Sequence, residues 1–161
     1  MTPLFKKLNL KDQKVLHVIQ APESFIPELN AIQASVAIST SAEGRAPIAF
    51  LLAFVTRQKE VDAWAKKAST RLEGDGILWL AYPKASSKKY TCEFNRDTGW
   101  KVLGELGFEP VRQVAIDEDW SALRFRRVEY IKKMTRGFAM TKVGKDKVAK
   151  AKQSTAKRFN K

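Results

Sequence analysis

The stretch that decides the fold is IAFLLAFVTRQKEVDAWAKKASTRLEGDGILWLAYP, residues Ile48 to Pro83. It opens with the apolar run IAFLLAFV and closes with the apolar run ILWLAYP, and such runs without polar alternation are typical of parallel strands covered on both faces. The apolar residues between them recur at helical spacing: Val61, Trp64, Ala65, Ala68 and Leu72. The sequence EGDG ends this periodicity, so the pattern predicts strand, amphipathic helix, strand.

The residues before this stretch repeat the same order of elements. KVLHVIQ (14–20) is apolar and rich in β-branched residues, which predicts a strand. It is followed by APESFIPELNAI, where Pro22 and Glu23 suit the first turn of a helix. SVAIST (35–40) predicts a second short strand.

The residues after Pro83 predict one more helix and a hairpin. After a polar loop, Asn95 is suited to cap a helix that ends at Gly107, with an inner stripe of Gly99, Val102, Leu103 and Leu106. VRQVAI (111–116) and WSALRFRRV (120–128) are joined by only three residues, which requires an antiparallel hairpin. The alternation predicts a three-layer, Rossmann-like α/β domain over residues 1–130, with a mostly parallel sheet that ends in this hairpin.

Positive charge is concentrated at the carboxyl end of the chain. The net charge is +13, and residues 129–161 hold eleven Lys or Arg against two acids, a net +9. The other residues therefore carry +4, so we assign the basic character mainly to a tail, which we expect over residues 131–161.

The composition disfavours several classes of protein. With one cysteine, Cys92, and one histidine, His17, the chain cannot form an internal disulfide or a cysteine-rich zinc site. No apolar run is long enough for a secretory signal or a membrane span, so we expect a cytoplasmic protein without membrane contact.

The first strand-to-helix turn argues against familiar cofactors. Dinucleotide enzymes place Gly-x-Gly-x-x-Gly there, whereas residues 20–24 read QAPES and contain no glycine. The chain also lacks the phosphate-binding P-loop sequence. A protein of the S-adenosylmethionine-dependent methyltransferase class would share the terminal hairpin, but its glycine-rich first turn is missing. We therefore predict no cofactor, and consider a cofactorless relative of that class.

A ligand site is expected outside the carboxyl ends of the parallel strands, because loops and helix starts converge there. Three segments meet this description: QAPESF, YPKASSKKY and the acidic turn DEDW. The candidate ligand-binding residues are Glu23, Ser24, Tyr82, Lys84, Ser86, Ser87, Asp117, Asp119, Trp120 and Arg124.

Each candidate group has a structural alternative that we favour. Asp117 and its two acidic neighbours could serve acid/base chemistry or bind a divalent cation, but three successive turn residues point in different directions. Lys84 with nearby hydroxyls could cradle an anion, or the segment is simply a polar loop. Trp120 and Arg124 share one strand face, which allows a cation–π contact, although Trp120 as a core residue is preferred. Cys92 beside two lysines could be a reactive thiol, and is more simply a small buried residue.

Three separated motifs resemble a bacterial family known as domain of unknown function three thousand and fifty-two. They are QAPESF, ILWLAYPKASS and the segment from Asn95 to Arg127 that ends in WSALRFRR. Ser24 stands where the family usually has glycine. The resemblance covers roughly residues 14–128 and implies a common fold and common motif positions, without implying an activity, a cofactor or catalytic residues.

The basic tail gives the leading functional hypothesis from sequence. Its apolar residues sustain no helical stripe, and such arms neutralise phosphates without reading sequence. The candidate contacts to nucleic acid are Lys142, Lys145, Lys147, Lys150, Lys152, Lys157 and Arg158. The chain is thus predicted to be a binding or accessory domain that contacts nucleic acid non-specifically. The alternative is an enzyme or small-molecule sensor with its site at the carboxyl edge of the sheet, and the oligomeric state is not predicted.

Overall fold

Six strands form one mixed sheet in the computed structural model, which describes residues 1–131. The strands are β1 (Val15–Ile19), β2 (Ala37–Ser39), β3 (Ile48–Phe54), β4 (Leu72–Pro83), β5 (Phe108–Ala115) and β6 (Trp120–Arg127). Their order is β2-β1-β3-β4-β6-β5, with β1 to β4 parallel and β6 antiparallel to both of its neighbours. The helices are α1 (Pro3–Lys7), α2 (Ile26–Ile32), α3 (Gln58–Arg71) and α4 (Lys101–Glu105). The predicted α/β domain with a parallel sheet and a terminal antiparallel hairpin is confirmed.

Both faces of the sheet are covered, which explains the lack of polar alternation in its central strands. On one face, Leu51 of β3 belongs to a buried cluster with Ala65 of α3. On the other face, Leu52 belongs to a second cluster with Phe5 of α1 and Ile32 of α2. Consecutive residues of β3 therefore enter opposite halves of the core, which makes the domain three layers deep.

The junction between α3 and β4 differs from the prediction. The sequence predicts that EGDG separates the helix from a strand starting at Ile77, but α3 ends at Arg71 and β4 begins at Leu72. The pairing with β3 shifts from Ile48 opposite Leu72 to Phe50 opposite Ile77. Residues 73–76, which include both glycines, therefore form a bulge in β4 instead of ending the strand. Leu72 is buried and starts the strand directly after the helix.

The loop after β4 also differs from the prediction. Asn95 does not cap a helix, because α4 begins six residues later at Lys101. The Asn95 side-chain oxygen instead accepts a hydrogen bond from the Asp97 amide at 2.8 Å and closes a local turn. Gly99 has a φ of +91°, which is incompatible with a helix at that position. The predicted helix end is confirmed, since Gly107 follows α4 with a φ of +88°.

The helix α1 was not predicted, because five residues are too few to show a helical period. It begins at a threonine cap, where the Thr2 hydroxyl accepts a hydrogen bond from the Phe5 amide at 3.1 Å. The segment after it is held on the sheet by the buried Trp79 indole, which donates to the Leu8 carbonyl at 2.8 Å.

Within residues 1–131, no helix has the length and the apolar character needed to cross a bilayer. The predicted tail, with its candidate nucleic-acid contacts, lies outside the described residues apart from Ile131. Its separation from the domain near residue 130 stays a prediction.

Candidate functional site at the carboxyl edge of the sheet

The three segments expected at the carboxyl edge of the sheet do meet there. The Ser24 hydroxyl, after β1, donates to an Asp117 carboxylate oxygen at 3.2 Å, although the two residues are 93 positions apart. The Lys84 amide, after β4, donates to the Asp119 carbonyl at 2.8 Å. The Ser87 hydroxyl donates to the Asp119 carboxylate, also at 2.8 Å. The acidic turn between β5 and β6 therefore joins the other two loops.

The acidic turn is organised around the Asp117 carboxylate. One of its oxygens accepts hydrogen bonds from the Asp119 amide at 2.8 Å and the Trp120 amide at 2.9 Å. This arrangement is an Asx turn, in which a side chain replaces a backbone acceptor. No group of three or more His, Cys, Asp or Glu suited to hold a metal ion occurs in the described part of the chain. The geometry assigns these acids to the turn and to its contacts with the neighbouring loops.

The first turn is filled by side chains where a cofactor cradle would need open backbone. Gln20 has a φ of +57°, a left-handed conformation that glycine adopts without strain. Phe25 is buried, and its ring centroid lies 5.7 Å from that of Phe5 and 5.0 Å from that of Phe54. The Phe25 amide is already bonded to the Pro22 carbonyl at 2.9 Å. This turn therefore differs from the glycine-rich turns of dinucleotide enzymes in the side chain at Gln20 and in the Phe25 amide, which already has a partner.

A cavity of about 740 Å³ opens at the end of β4, on the α3 side of the sheet. We call it the edge cavity. Its walls are the end of β4, the loop that follows, and the facing side chains of the hairpin. The lining residues are Tyr82, Pro83, Lys84, Ala85, Ser87, Tyr90, Thr91, Cys92, Glu93, Phe94, Asn95, Arg96, Asp97, Thr98, Gln113 and Ser121.

The sheet wall of the edge cavity is a hydrogen-bonded group of three side chains. The Gln113 amide nitrogen donates to the Tyr82 hydroxyl at 3.1 Å and to the Ser121 hydroxyl at 3.0 Å. Ser121 and Tyr82 are buried, whereas Gln113 is exposed, so this polar group runs from the buried floor of the cavity out to solvent. Burial raises the pKa of the Tyr82 phenol and also that of the Cys92 thiol, because both are less stable as anions away from water. Both groups are therefore protonated near neutral pH and can donate hydrogen bonds.

The loop after β4, which forms one wall of the edge cavity, is bonded to the first turn of α3. A Glu93 carboxylate oxygen accepts a hydrogen bond from the Gln58 amide at 2.7 Å, which caps the helix start. The Gln58 side chain in turn donates to the Gly99 carbonyl at 2.7 Å. The rings of Phe94 and Trp100 meet edge to face, with 5.0 Å between their centroids, and anchor the same loop in the core. The cavity is thus held between ordered elements before any ligand arrives.

The structure separates the predicted candidates into several groups. Of the predicted residues, Tyr82, Lys84 and Ser87 line the edge cavity. Ser24, Asp117 and Asp119 lie in the contacts between the loops. The Glu23 and Ser86 residues are exposed and line none of the cavities described for residues 1–131. The candidates are therefore not brought into one concavity: Lys84 lines the edge cavity, Arg124 lines a different cleft, and Glu23 lines neither.

Trp120 is a core residue, as preferred from the sequence. It is 4% exposed and packs against Phe54 and Tyr90, with ring centroids 5.2 and 4.9 Å away. Arg124 lies four residues further along β6 and lines a different cleft, so the described residues form no cation–π contact between the two. The placement of Arg124 at the carboxyl edge is corrected for this reason. In an antiparallel strand, each residue after Trp120 moves away from that edge.

His17 and Cys92 are both half-buried, so Cys92 is less buried than the sequence predicted. The His17 ring nitrogen Nδ1 lies 3.2 Å from the Ser41 carbonyl, and the side chain is half-buried on β1. Cys92 is half-buried against the core cluster on the α3 side. Gln113 and Ser121 were not among the predicted candidates. The only signal in the sequence was a polar residue within each strand of the hairpin.

Comparison with known proteins finds similarity at the level of the fold. No family model matches the chain, and no curated protein matches it in sequence. A solved structure of a SAM-dependent methyltransferase from Aquifex aeolicus aligns with a TM-score of 0.52 and 12% identity, covering 77% of this chain and 87% of that one. This similarity confirms the Rossmann-like α/β fold.

Two further solved structures align at lower scores. The fibrillarin pre-rRNA processing protein of Methanococcus jannaschii has a TM-score of 0.43 and 14% identity, covering 70% of this chain and 56% of that one. The N-methyltransferase NodS of Bradyrhizobium japonicum has a TM-score of 0.44 and 20% identity, covering 71% of this chain and 74% of that one.

Proposed function

We propose that this protein binds a small molecule in the edge cavity, as an enzyme or a sensor built on a methyltransferase-like fold. The observation that carries the proposal is the cavity at the carboxyl end of β4, whose sheet wall holds three hydrogen-bonded polar side chains. Ligands of open α/β sheets bind outside the carboxyl ends of the strands. A concave site with a few convergent polar groups is the usual form of a small-molecule site.

The side chains of the edge cavity indicate the chemistry of its ligand. Tyr82 and Ser121 present hydroxyl groups to this cavity beside Gln113, and burial raises the pKa of the Tyr82 phenol, so it stays protonated near neutral pH. Lys84 and Arg96 add cations to the same cavity. Its two acids already have partners, since Glu93 accepts from the Gln58 amide and Asp97 lies 3.6 Å from the Arg96 guanidinium. Donors and cations favour a ligand with carbonyl, carboxylate or phosphate oxygens. Phe94 and Pro83 supply apolar surface for the rest of the molecule.

In this proposal, S-adenosylmethionine does not bind at the turn after β1. The support is local: Gln20, a residue with a side chain, occupies a left-handed position, and Phe25 packs beside the turn against Phe5 and Phe54. This is the alternative considered from the sequence, and the fold similarity favours it over an accessory domain defined by its tail.

The resemblance to the family of domain of unknown function three thousand and fifty-two remains a proposal. It is supported by the position of its motifs, since the turn containing Ser24, the turn containing Lys84 and the start of β6 are joined by hydrogen bonds at one edge. If the resemblance is correct, relatives are expected to keep a cavity beside the same three segments.

Alkylation of Cys92 tests occupancy of the edge cavity directly, because Cys92 lines it and is the only cysteine in the chain. The full-length protein is treated with N-ethylmaleimide in the presence of a library of small carboxylate- and phosphate-bearing fragments. Since burial raises the thiol pKa, alkylation is expected to be slow near neutral pH and to speed up as the pH rises. Fragments that bind the cavity will slow alkylation in a saturable way.

Substitutions in the lining of the edge cavity test whether protection of Cys92 from alkylation arises from binding there. Tyr82→Phe and Lys84→Gln are each expected to weaken protection about tenfold, since each removes one hydrogen-bonding or charged contact. Ser24→Ala, which alters the loop contact outside the cavity, is the control and should leave protection unchanged. Protection that stays unchanged in both Tyr82→Phe and Lys84→Gln would contradict the proposed site.

S-adenosylmethionine provides the opposing outcome. We expect it neither to slow the alkylation of Cys92 nor to shift the backbone amide resonances of residues 20–25. Saturable shifts confined to those amides would replace the present proposal with a cofactor-dependent methyltransferase.

A further inference from the structure

A second cleft, of about 540 Å³, lies on the opposite face of the sheet from the edge cavity and shares none of its lining residues. We call it the arginine cleft. It is bounded by the segment after α1, the start of β3, the bulge of β4 at residues 73–76 and the middle of β6. Its lining residues are Asn9, Lys11, Gln13, Ala49, Glu73, Asp75, Gly76, Ile77, Arg124 and Arg126.

One carboxylate of the cleft is already paired with an arginine. Arg126 donates through Nε to one Asp75 oxygen at 2.8 Å and through Nη2 to the other at 2.6 Å. Such a two-pronged pair uses the planar fork of the guanidinium and both carboxylate oxygens. Asp75 is therefore held by Arg126, and it does not bond the Arg124 Nε atom.

Arg124 is the second arginine of the cleft, and it has no such carboxylate. Its Nε atom is buried and has no hydrogen-bond partner among residues 1–131. Burial is the largest cause that lowers the pKa of Arg124, and Arg126 and Arg112 lower it further, while Asp75 acts in the opposite direction. A buried donor without an acceptor costs free energy, and so does a partly buried cation beside other cations. Both costs fall when an anion enters the cleft.

The remaining side chains of the cleft complement Arg124. Lys11 adds a cation at the rim and is exposed. The Gln13 side-chain oxygen accepts a hydrogen bond from the Lys11 amide at 2.8 Å, so its amide nitrogen is the group that it can offer to a ligand. Glu73, which is exposed in the bulge of β4, would repel an anion in the cleft. The donors therefore face the ligand mainly from the Arg124 side and from the segment after α1.

We propose that the arginine cleft binds an oxyanion, the carboxylate or phosphate group of a small molecule, with the Arg124 guanidinium as its main contact and Lys11 as a second cation. The cleft is larger than inorganic phosphate, so a molecule carrying the anionic group fits. This site is independent of the edge cavity, because the two lie on opposite faces of the sheet.

The test is a titration of the full-length ¹⁵N-labelled protein with inorganic phosphate, and separately with acetate, at constant ionic strength. The signals of individual residues in the cleft are followed, because the many cations of residues 132–161 also attract anions and would contribute to an overall binding measurement. The Gly76 amide and the Arg124 Nε–Hε signal are expected to shift saturably with at least one of the two anions. The arm that saturates at the lower concentration identifies phosphate or carboxylate as the preferred group.

Two variants with opposite expected effects keep the test independent of folding. Arg124→Gln is expected to weaken anion binding at the Gly76 resonance about tenfold or more, because it removes a charge-assisted contact. Asp75→Asn releases Arg126 and removes a negative charge, so it is expected to strengthen binding several-fold. A misfolded variant would not gain affinity.

Lys67→Gln is the control, because Lys67 lies on α3 on the other side of the sheet and should leave the titration unchanged. The proposal is wrong if neither anion shifts Gly76 saturably. It is also wrong if Arg124→Gln binds as well as the unaltered protein, or if Asp75→Asn binds less tightly.

Discussion

Gln20 shows how one backbone angle affects the site. Its φ of +57° places a side chain where glycine would be unstrained, at the turn that leads from β1 towards α2. A non-glycine residue in this conformation costs about 1–2 kcal/mol, while glycine loses about 0.5–1 kcal/mol of chain entropy.

We therefore expect Gln20→Gly to leave the free energy of unfolding unchanged or to raise it by up to about 1 kcal/mol. Gln20→Val is expected to lower it by about 1–3 kcal/mol, since a β-branched side chain tolerates this conformation poorly. Urea denaturation measures both changes. Equal losses in the two variants would show that the Gln20 side chain, and not its backbone angle, stabilises the turn.

Trp79 tests a single buried hydrogen bond. Its indole donates to the Leu8 carbonyl and holds the segment after α1 on the sheet. Trp79→Phe keeps an aromatic ring but leaves that carbonyl unpaired, which is expected to lower the free energy of unfolding by about 1–3 kcal/mol.

Trp64→Phe is the matched substitution for Trp79→Phe, because Trp64 is only half-buried on α3. Its effect is expected to stay below about 1 kcal/mol. Similar losses in the two variants would mean that the Leu8 contact contributes little.

At the scale of elements, the turn between β5 and β6 depends on one acid. Asp117 accepts two backbone hydrogen bonds within the turn and one from Ser24. We expect Asp117→Ala to lower the free energy of unfolding by about 1–3 kcal/mol, and the exposed Glu118→Ala to change it by less than about 0.5 kcal/mol. Thermal or urea unfolding compares them. A larger loss from Glu118→Ala would contradict the assigned roles.

The regular elements could be predicted because their apolar residues follow a strand or helix period. The central strands and α3 are examples, and the hairpin followed from the short distance between its strands. The loop after β4 could not be predicted in this way. Its conformation depends on Phe94, Gly99 and Glu93 meeting side chains of α3 and the core, which are contacts between distant parts of the sequence.

The site was predicted in part for the same reason. The meeting of three loops followed from the general position of ligand sites in parallel sheets, and Tyr82, Lys84 and Ser87 do line the edge cavity. The direction of β6 was also predicted, but the distance of Arg124 from the carboxyl edge was not considered. Gln113 was not foreseen because a polar residue on a strand usually indicates only a solvent-facing position.

At the scale of the whole molecule, the uneven charge supports a separate prediction for the tail. If residues 142–152 make non-specific contacts with nucleic acid, changing Lys142, Lys145, Lys147, Lys150 and Lys152 to Gln in the full-length chain will weaken binding to duplex DNA. It will also reduce the slope of log affinity against log salt, since each phosphate contact contributes about 0.9 to it. Fluorescence anisotropy at several salt concentrations measures both.

A control for this tail variant changes five exposed lysines of the domain to Gln: Lys6, Lys7, Lys59, Lys66 and Lys88. It removes the same charge from a different surface. Equal losses of affinity in the two variants would assign the effect to total charge and contradict a role for the tail.

The direct passage from Arg71 to Leu72 has a consequence for how the domain opens. The Arg127 guanidinium donates to the carbonyls of Ser69 at 3.2 Å and Leu72 at 2.8 Å, so β6 is bonded to both sides of the junction. The last turn of α3 cannot fray without pulling on two strands at once. Amide protons near residue 71 should therefore exchange with solvent deuterium as slowly as those in the middle of β4, although helix ends usually exchange first.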